Sequence, residues 1–276
     1  VCREAARRDK PGRRPGEGRV WRAVSSARQL DASIIIPTYN RRRILEKVLQ
    51  ALLNQTYPPE RFELIVVDDG STDDTRDLVM SLKAPFNLHY LYQPNRGRSA
   101  ARNLGIRWAR APLLIFLDSD IVVEPGFVAA HIEAHRRLSE GGQRWVVNGP
   151  VIYTEDFERP TETVPRWTDM SRAFFATGNA SVHRADILEA GMFDEQFVEY
   201  GWEDLELGDR LRDLGLRSTT EPKARGFHLQ EPATVASLPA RMEKERQRGR
   251  TALIYFRKRP TFRVRAKLQL LWPFFV

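Results

Sequence analysis

Cysteine is nearly absent from this 276-residue chain, since Cys2 is its single cysteine. One thiol excludes an internal disulfide and a cysteine-rich zinc site, and it is compatible with the cytoplasm. The sequence also lacks an N-terminal apolar run of the signal-peptide type. Its apolar tail at 268–276 is far shorter than the roughly 20 residues that a membrane-spanning helix needs. We therefore expect a cytoplasmic protein.

Two common phosphate-binding loops are missing as well. No Gly-x-Gly-x-x-Gly follows the first predicted strand, and no Gly-x-x-x-x-Gly-Lys-Ser/Thr occurs anywhere. The first absence disfavours a dinucleotide-dependent dehydrogenase, and the second disfavours a P-loop enzyme. If the protein binds a phosphate, other residues must hold it.

Positive charge is concentrated at the two ends of the chain. The net charge is +8, of which residues 1–22 contribute +5 and residues 241–276 contribute +9, so that residues 23–240 carry −6. A nucleic-acid-binding domain would be expected to carry the positive charge on its own face. We therefore expect no nucleic-acid partner. Two uses of the basic, apolar-ended tail stay open: contact with an anionic membrane surface and packing on the domain.

Strands and helices alternate in the first part of the chain. Short apolar runs that predict buried strands are separated by segments with apolar residues at helical spacing. Strands are predicted at 33–37, 62–67, 88–92 and 113–117, and helices at 41–53, around 78–82 and within 95–109. This order predicts an α/β fold with a mostly parallel, Rossmann-like sheet flanked by helices.

The second half of the sequence is less regular. Helices are predicted at 126–138, at 184–189 and from 201, and a charged helix at 239–256. Extended segments are predicted at 145–153, 174–182 and 217–228. We therefore expect a mixed subdomain and then a helical C-terminal tail.

Two acids follow the apolar run LLIFL at 113–117. In an open α/β sheet, ligands bind at the carboxyl ends of the strands, where Asp118 and Asp120 would lie. If the chain stays extended there, both side chains point the same way, and paired carboxylates suit Mg²⁺ or Mn²⁺. The alternative is a solvated acidic turn.

Several motifs, taken in order, resemble the family-2 glycosyltransferases of the GT-A fold. Four of them lie in the first half: SIIIPTYN at 33–40, VVDDGSTD at 66–73, NRGRSAARNLG at 95–105 and FLDSD at 116–120. Two later pieces, TGN at 177–179 and GWEDLEL at 201–207, resemble an acceptor-side signature of galactosyltransferase-type C-terminal regions. The resemblance implies a nucleotide-sugar donor half at 31–125 and an acceptor half at 126–230. Composition predicts a flexible basic arm before them, at 1–30, and a basic helical tail after them, at 231–276.

The resemblance implies a metal-dependent transfer of a sugar from a nucleotide diphosphate to an acceptor hydroxyl, with inversion at the anomeric carbon. A divalent cation, Mn²⁺ or Mg²⁺, would neutralise the departing diphosphate. Asp118 and Asp120 would hold this ion, and His228 would complete the site. A lone histidine is also a common packing or surface residue, and that alternative stays open.

A carboxylate must take the proton of the attacking hydroxyl. Asp204 is the predicted general base and Glu203 the alternative. Both acids fall in the first turn of a predicted helix, where the helix dipole favours negative charge for structural reasons alone.

The resemblance also implies a nucleotide site. Asp69 would accept a hydrogen bond from the imide of uracil, which cytosine cannot donate, so that a UDP-sugar is the expected donor. Pro37 and Tyr39 would border the base, and Arg102 and Asp118 are the other predicted nucleotide-binding residues. Asp69 could instead cap the following helix, and Arg102 could pair with a loop acid.

The acceptor side is assigned to Thr177, Gly178, Asn179 and Trp202, with Trp202 stacking on a sugar or belonging to the core. The expected acceptor is a glycan or a lipid-linked molecule in polysaccharide or glycoconjugate synthesis. Two other functions stay open. A sugar nucleotidyltransferase would use the same half-domain, although its glycine-rich triphosphate loop is missing after the first strand. A non-catalytic module would use the basic ends on membranes or nucleic acid.

Overall fold

The computed structural model describes residues 29–166, 169 and 173–270. The predicted arm at 1–30 lies almost wholly outside them, as does most of the apolar tail. The described strands are β1 (Ala32–Thr38), β2 (Phe62–Asp68), β3 (Asn87–Tyr92), β4 (Leu113–Leu117), β5 (Ile121–Val123), β6 (Trp145–Asn148), β7 (Val151–Thr154), β8 (Asn179–His183), β9 (Arg217–Thr220) and β10 (Gly226–Leu229). The helices are α1 (Arg42–Leu53), α2 (Thr75–Ser81), α3 (Arg98–Trp108), α4 (Phe127–Ser139), α5 (Arg184–Glu189), α6 (Glu203–Asp213), α7 (Leu238–Lys258) and α8 (Phe262–Lys267).

The large sheet has seven strands in the order β3-β2-β1-β4-β8-β6-β9. Only β8 is antiparallel to its neighbours, β4 and β6, so the prediction of a mostly parallel sheet is confirmed. The central strands β1, β2 and β4 are buried along almost their whole length. This burial explains why they are continuous apolar runs rather than alternating ones.

Helices cover both faces of this sheet. On one face, Leu45 and Leu49 of α1 pack in a core with Ile34 and Ile36. On the other, Ile35 packs in a second core with residues of α3 and α6. Alternate residues of β1 therefore belong to opposite cores, as the two-residue repeat of a strand requires.

The strand predicted from the apolar run at 113–117 is β4, but the chain does not stay extended beyond it. β4 ends at Leu117, and the next three residues form a turn in which the amide of Ile121 donates to the carbonyl of Asp118 at 3.2 Å. Asp118 and Asp120 therefore do not lie in extended chain. The turn leads into β5, which the sequence did not predict because it has only three residues.

The predicted extended segment at 145–153 is two strands in different sheets. β6 belongs to the large sheet, whereas β7 joins β5 and β10 in a three-stranded sheet of order β5-β10-β7. The chain changes sheets at Gly149, where a Cβ atom would lie 2.1 Å from the carbonyl oxygen of Ala224. Only a residue without a side chain allows this close approach.

The charged helix predicted at 239–256 is α7, which packs against α6. The Tyr255 hydroxyl donates a hydrogen bond to Asp209 of α6, and Tyr255 forms a small core with Phe197 and Val264. Across the described part of the chain, no helix combines the length and apolar character needed to cross a membrane.

Candidate active site

A cavity of about 730 Å³ opens at the carboxyl ends of β1 and β4. One of its walls comes from the 198–200 loop and from Lys244 and Gln247 of α7. Seven predicted site residues line this central cavity: Pro37, Tyr39, Asp69, Asp118, Asp120, Gly178 and His228. The structure therefore gathers the predicted metal residues and all of the predicted nucleotide residues except Arg102 around one space.

Asp120 is the most strongly held acid of the central cavity. Its Oδ2 accepts a hydrogen bond from the Arg41 guanidinium, and Nε2 of His228 lies 3.2 Å from the same oxygen. Burial alone would raise the pKa of this carboxyl, but the contacts with His228 and Arg41 hold it well below its usual value. Asp120 is therefore ionised at neutral pH.

Two cavity-lining residues, Thr38 and Asp120, have a buried polar atom without a partner in the described part of the chain. Within the described residues, the buried side-chain atoms without a hydrogen-bond partner are Oγ1 of Thr38, Nε of Arg102, Oδ1 of Asp120 and Oε2 of Glu203. Buried polar atoms in folded proteins are almost always paired, so a group of unpaired ones points to a position that a ligand or water completes.

The resemblance implies a divalent ion, and the donor types fit one. Asp118, Asp120 and His228 offer carboxylate oxygens and an imidazole, and the unpaired, buried Oδ1 of Asp120 is free to coordinate. As the side chains stand, no three His, Cys, Asp or Glu residues of the described ranges converge on one point. Arg41 bonds to the oxygen of Asp120 that His228 also faces, so the guanidinium stands beside the proposed metal ligands.

A buried arginine connects the central cavity to α6. Arg102 donates through Nη2 to Asp118 and through Nη1 to Glu203, at 3.0 Å in each case. Arg102 is fully buried and is not among the cavity-lining residues that the structure describes. The sequence had placed it near the base or a phosphate. The guanidinium instead forms ion pairs with two carboxylates, as in the alternative prediction that Arg102 pairs with an acid.

Asp204 and Glu203 have different environments. Glu203 is buried and paired with Arg102. Asp204 is only partly buried, and its one hydrogen bond within the described residues comes from the amide of Leu205 at 2.8 Å. Burial and the neighbouring Glu203 charge raise the pKa of Asp204 to about 7, against the opposing charge of Arg102. Neither acid is among the described residues that line the central cavity, and of the two only Asp204 has no side-chain hydrogen-bond partner within the described ranges.

Asp69 lines the central cavity and also organises a loop. Its Oδ1 accepts from the Gln93 side chain at 2.7 Å and the Arg96 amide at 2.9 Å, and its Oδ2 accepts from the Gly97 amide at 2.9 Å. It does not cap α2, since the amide of Thr75 donates to Asp73 there. The alternative prediction, that Asp69 caps the helix after it, is therefore wrong. Asp69 instead holds the turn before α3. Contact with uracil stays a prediction.

The acceptor residues are divided between cavity and core. Gly178 lines the cavity, whereas Thr177 and Asn179 are buried. The Asn179 amide donates to the carbonyls of Pro150 at 3.1 Å and Ala224 at 2.8 Å, so it joins the two sheets. Direct acceptor contact by Asn179 is therefore not supported.

Trp202 faces α7 rather than the central cavity. Its indole N–H donates to the carbonyl of Arg248 at 2.8 Å, and its ring stacks on Tyr255 with 6.1 Å between centroids. It is not among the described residues that line the cavity. Stacking on an acceptor sugar stays a prediction, and these contacts favour the core alternative.

Sequence reasoning missed three cavity cations: Arg41, Arg98 and Lys244. Arg98 and Lys244 both lie over the ring of Tyr200, with the charged group 4.7 Å and 4.3 Å from its centroid. Arg41 directly follows the motif SIIIPTYN at 33–40 and could have been predicted as a cation after β1. Lys244 gave no signal, because only the packing of α7 brings it to the cavity.

A mostly parallel sheet with a cavity at its strand ends, and paired acids at the rim of that cavity, is the arrangement of an α/β enzyme that binds its ligand at the sheet edge. Residues 33–187 match the family described as Glycosyl transferase family 2. The chain belongs to this family and is a glycosyltransferase, which sets aside the nucleotidyltransferase and the non-catalytic module.

Relatives agree with this assignment. Validoxylamine A glucosyltransferase from Streptomyces hygroscopicus subsp. limoneus is 35% identical over 230 residues, covering 71% of this chain and 51% of the relative. The chain therefore spans about half the length of that relative.

Two solved structures share the fold. Staphylococcus aureus TarS residues 1–349, in complex with UDP-GlcNAc, superposes with a TM-score of 0.59 at 21% identity, covering 75% of this chain and 61% of that one. The mannosyltransferase PcManGT from Pyrobaculum calidifontis, in complex with GDP-Man and Mn²⁺, gives a TM-score of 0.59 at 19% identity, covering 79% and 61%.

Proposed function

We propose that this chain is a metal-dependent, inverting glycosyltransferase that moves a sugar from a UDP-sugar to an acceptor hydroxyl. The observation that carries the proposal is the pair of ion pairs that Arg102 makes with Asp118 and with Glu203, the residue before Asp204. These ion pairs link a cavity-lining acid to the first turn of α6, where the pKa of Asp204 is raised to about 7. In the proposed reaction, the diphosphate would depart at the Asp118 end of this link and the acceptor would be activated by Asp204 at the other end.

The diphosphate would depart at the Asp118 and Asp120 end. Asp118, Asp120 and His228 would hold a divalent ion, Mn²⁺ or Mg²⁺, which supplies a positive charge for the oxygens of the leaving group. PcManGT, which shares the fold, was solved with Mn²⁺. Arg98 and Lys244 line the same cavity and add positive charge near the diphosphate.

Asp204 would act as the general base. A base works best when its pKa lies near the working pH, and a carboxyl with a pKa of about 7 meets that condition. Its deprotonated form takes the proton of the acceptor hydroxyl as that oxygen attacks the anomeric carbon. The leaving diphosphate departs from the opposite face with the electron pair of the broken C–O bond, so the configuration inverts.

The nucleotide would lie against the end of β1. Pro37 and the half-exposed Tyr39 would border the base, and Asp69 would face it. TarS, which shares the fold, was solved with UDP-GlcNAc, whereas PcManGT was solved with GDP-Man. The choice of uracil therefore rests on Asp69 alone.

The acceptor would be a glycan or a lipid-linked molecule, presented at the cytoplasmic face of a membrane. Leu238, Met242 and Leu253 are exposed on the side of α7 opposite the buried Thr251 and Tyr255, and Phe262 is exposed on α8. The sequence of these two helices is also rich in arginine, and exposed apolar side chains together with positive charge suit an anionic membrane surface.

A thermal-shift panel of UDP, GDP, CDP and dTDP, each with and without Mn²⁺, tests the donor, because only a bound nucleotide raises the melting temperature. We expect stabilisation by UDP with Mn²⁺. Stabilisation by GDP alone would overturn the role of Asp69. Donor hydrolysis in the presence of Mn²⁺ tests the reaction, and we expect Asp120→Ala to abolish it. Hydrolysis that is unaffected by Asp120→Ala or by EDTA would contradict metal dependence.

A further inference from the structure

Arg41 occupies an unusual position for a surface loop residue. Its backbone is fixed at the start of α1, where its carbonyl accepts from the amide of Leu45 at 2.9 Å. Its side chain reaches into the central cavity and bonds to Oδ2 of Asp120, and it is 36% exposed against 13% for the aspartate. The guanidinium is therefore tethered at the rim and can leave Asp120 without any change in the fold.

Arg41 and a divalent ion need the same carboxylate. Asp120 would be a metal ligand in the proposed function, and its negative charge is now balanced by Arg41. Two cations next to one carboxylate repel each other strongly where water is partly excluded. Metal binding to Asp120 must therefore displace the guanidinium or work against its charge.

A bound diphosphate would offer the Arg41 guanidinium an anionic partner other than Asp120. Arg98 and Lys244 line the cavity, and within the described residues neither has a carboxylate partner. Partial burial and the positive charges of Arg98 and Arg41 lower the pKa of Lys244, so the three cations are close enough to interact. A diphosphate bound among them would attract the Arg41 side chain away from Asp120.

We propose that Arg41 is a competing counter-ion that keeps Asp120 from binding a metal until a nucleotide diphosphate takes over its guanidinium. The inference rests on the proposed function, because it assumes that Asp120 is a metal ligand. By linkage, Mn²⁺ and the diphosphate then strengthen each other's binding by the same factor. Arg41 is thus a positioning residue that sets the order in which the two ligands bind.

Titration with Mn²⁺, followed by the electron paramagnetic resonance signal of the free ion, tests this without any turnover. We expect Arg41→Gln to bind Mn²⁺ in the absence of nucleotide about tenfold more tightly than the unchanged protein. We also expect UDP to tighten Mn²⁺ binding in the unchanged protein about tenfold more than it does in Arg41→Gln. UMP, which lacks the second phosphate, should tighten it less than UDP.

Two further variants serve as controls. Arg43→Gln removes the same charge from an exposed position on α1 that does not line the cavity, and it should match the unchanged protein. Arg41→Lys keeps the charge and should restore most of the competition. Circular dichroism and the melting temperature check that each variant is folded.

The two possible failures give different results. If the unchanged protein shows UDP-dependent Mn²⁺ binding, but Arg41→Gln binds Mn²⁺ alone no more tightly than Arg43→Gln, the counter-ion role is wrong and the proposed function stands. If the unchanged protein binds no Mn²⁺ with any nucleoside diphosphate, the metal-dependent function itself is wrong, and the inference fails with it.

Discussion

Asp204 and Glu203 are neighbours on α6, yet they differ in what surrounds their carboxylates. Glu203 is committed to Arg102 at 3.0 Å, whereas Asp204 has no partner side chain within the described residues. A carboxylate with a raised pKa destabilises the fold when it is ionised. Such perturbed pKa values are common among catalytic acids and bases.

The raised pKa of Asp204 predicts how the activity depends on pH. A general base must be deprotonated, so kcat/KM should rise from pH 5.5 to pH 8 with an apparent pKa near 7, the value to which burial and Glu203 raise Asp204. Asp204→Asn should lower kcat by about a thousandfold. A steady-state pH profile measures both. A profile that is flat between pH 6 and pH 8 would exclude Asp204 as the base.

The same raised pKa predicts how the stability of the fold depends on pH. Because the folded pKa of Asp204 is raised above its unfolded value of 3.8, folding favours the protonated form, and stability is lost as the pH rises through about 7. Asp204→Asn removes this loss and should raise the melting temperature at pH 8 by a few degrees, with almost no effect at pH 4. Equal effects at both pH values would contradict the raised pKa. Glu206→Gln is not a suitable control, since Glu206 is paired with Arg210.

At the scale of elements, Asn179 holds the two sheets together. Its amide donates to Pro150 and Ala224, and its oxygen lies 2.9 Å from Nε2 of His131. Asn179→Ala leaves these buried groups unpaired and should lower the free energy of unfolding by about 3 kcal/mol, as measured by urea denaturation. Asn54→Ala, which removes one exposed hydrogen bond from the end of α1, should cost less than about 1 kcal/mol.

Trp202 provides a test that separates packing from acceptor binding. Trp202→Phe keeps an aromatic ring against Tyr255 but removes the hydrogen bond to Arg248, so it should cost about 1 kcal/mol of stability. The KM for the acceptor should not change. A KM several times higher, with stability unchanged, would support the acceptor role predicted from the sequence.

The whole molecule separates its charges: the core residues 23–240 carry −6, and the C-terminal segment 241–276 carries +9. If α7 and α8 contact a membrane, the protein should sediment with anionic vesicles but not with zwitterionic ones, and added salt should release it. The double variant Met242→Glu and Leu253→Glu should weaken sedimentation. Val164→Glu, at an exposed apolar position away from α7, should not. Equal loss in both variants would contradict docking through α7.

Chain pattern alone determined much of the fold and part of the site. The apolar runs of β1, β2 and β4 and the helical spacing of α1 specified an α/β domain, because local periodicity reflects which faces become buried. Since parallel strands end at a common edge, the acids after those strands could be predicted to meet there. Seven of the predicted residues do line one cavity.

Contacts between distant segments decided the rest. The turn at Asp118–Asp120, the change of sheet at Gly149 and the burial of Asn179 depend on neighbours that are far away in sequence. The sequence of α7 likewise contains many cations, and only its docking on α6 selects Lys244 for the cavity. A residue's chemistry is fixed by its identity, whereas its burial, its charge partners and therefore its pKa are set by the packing of the whole chain.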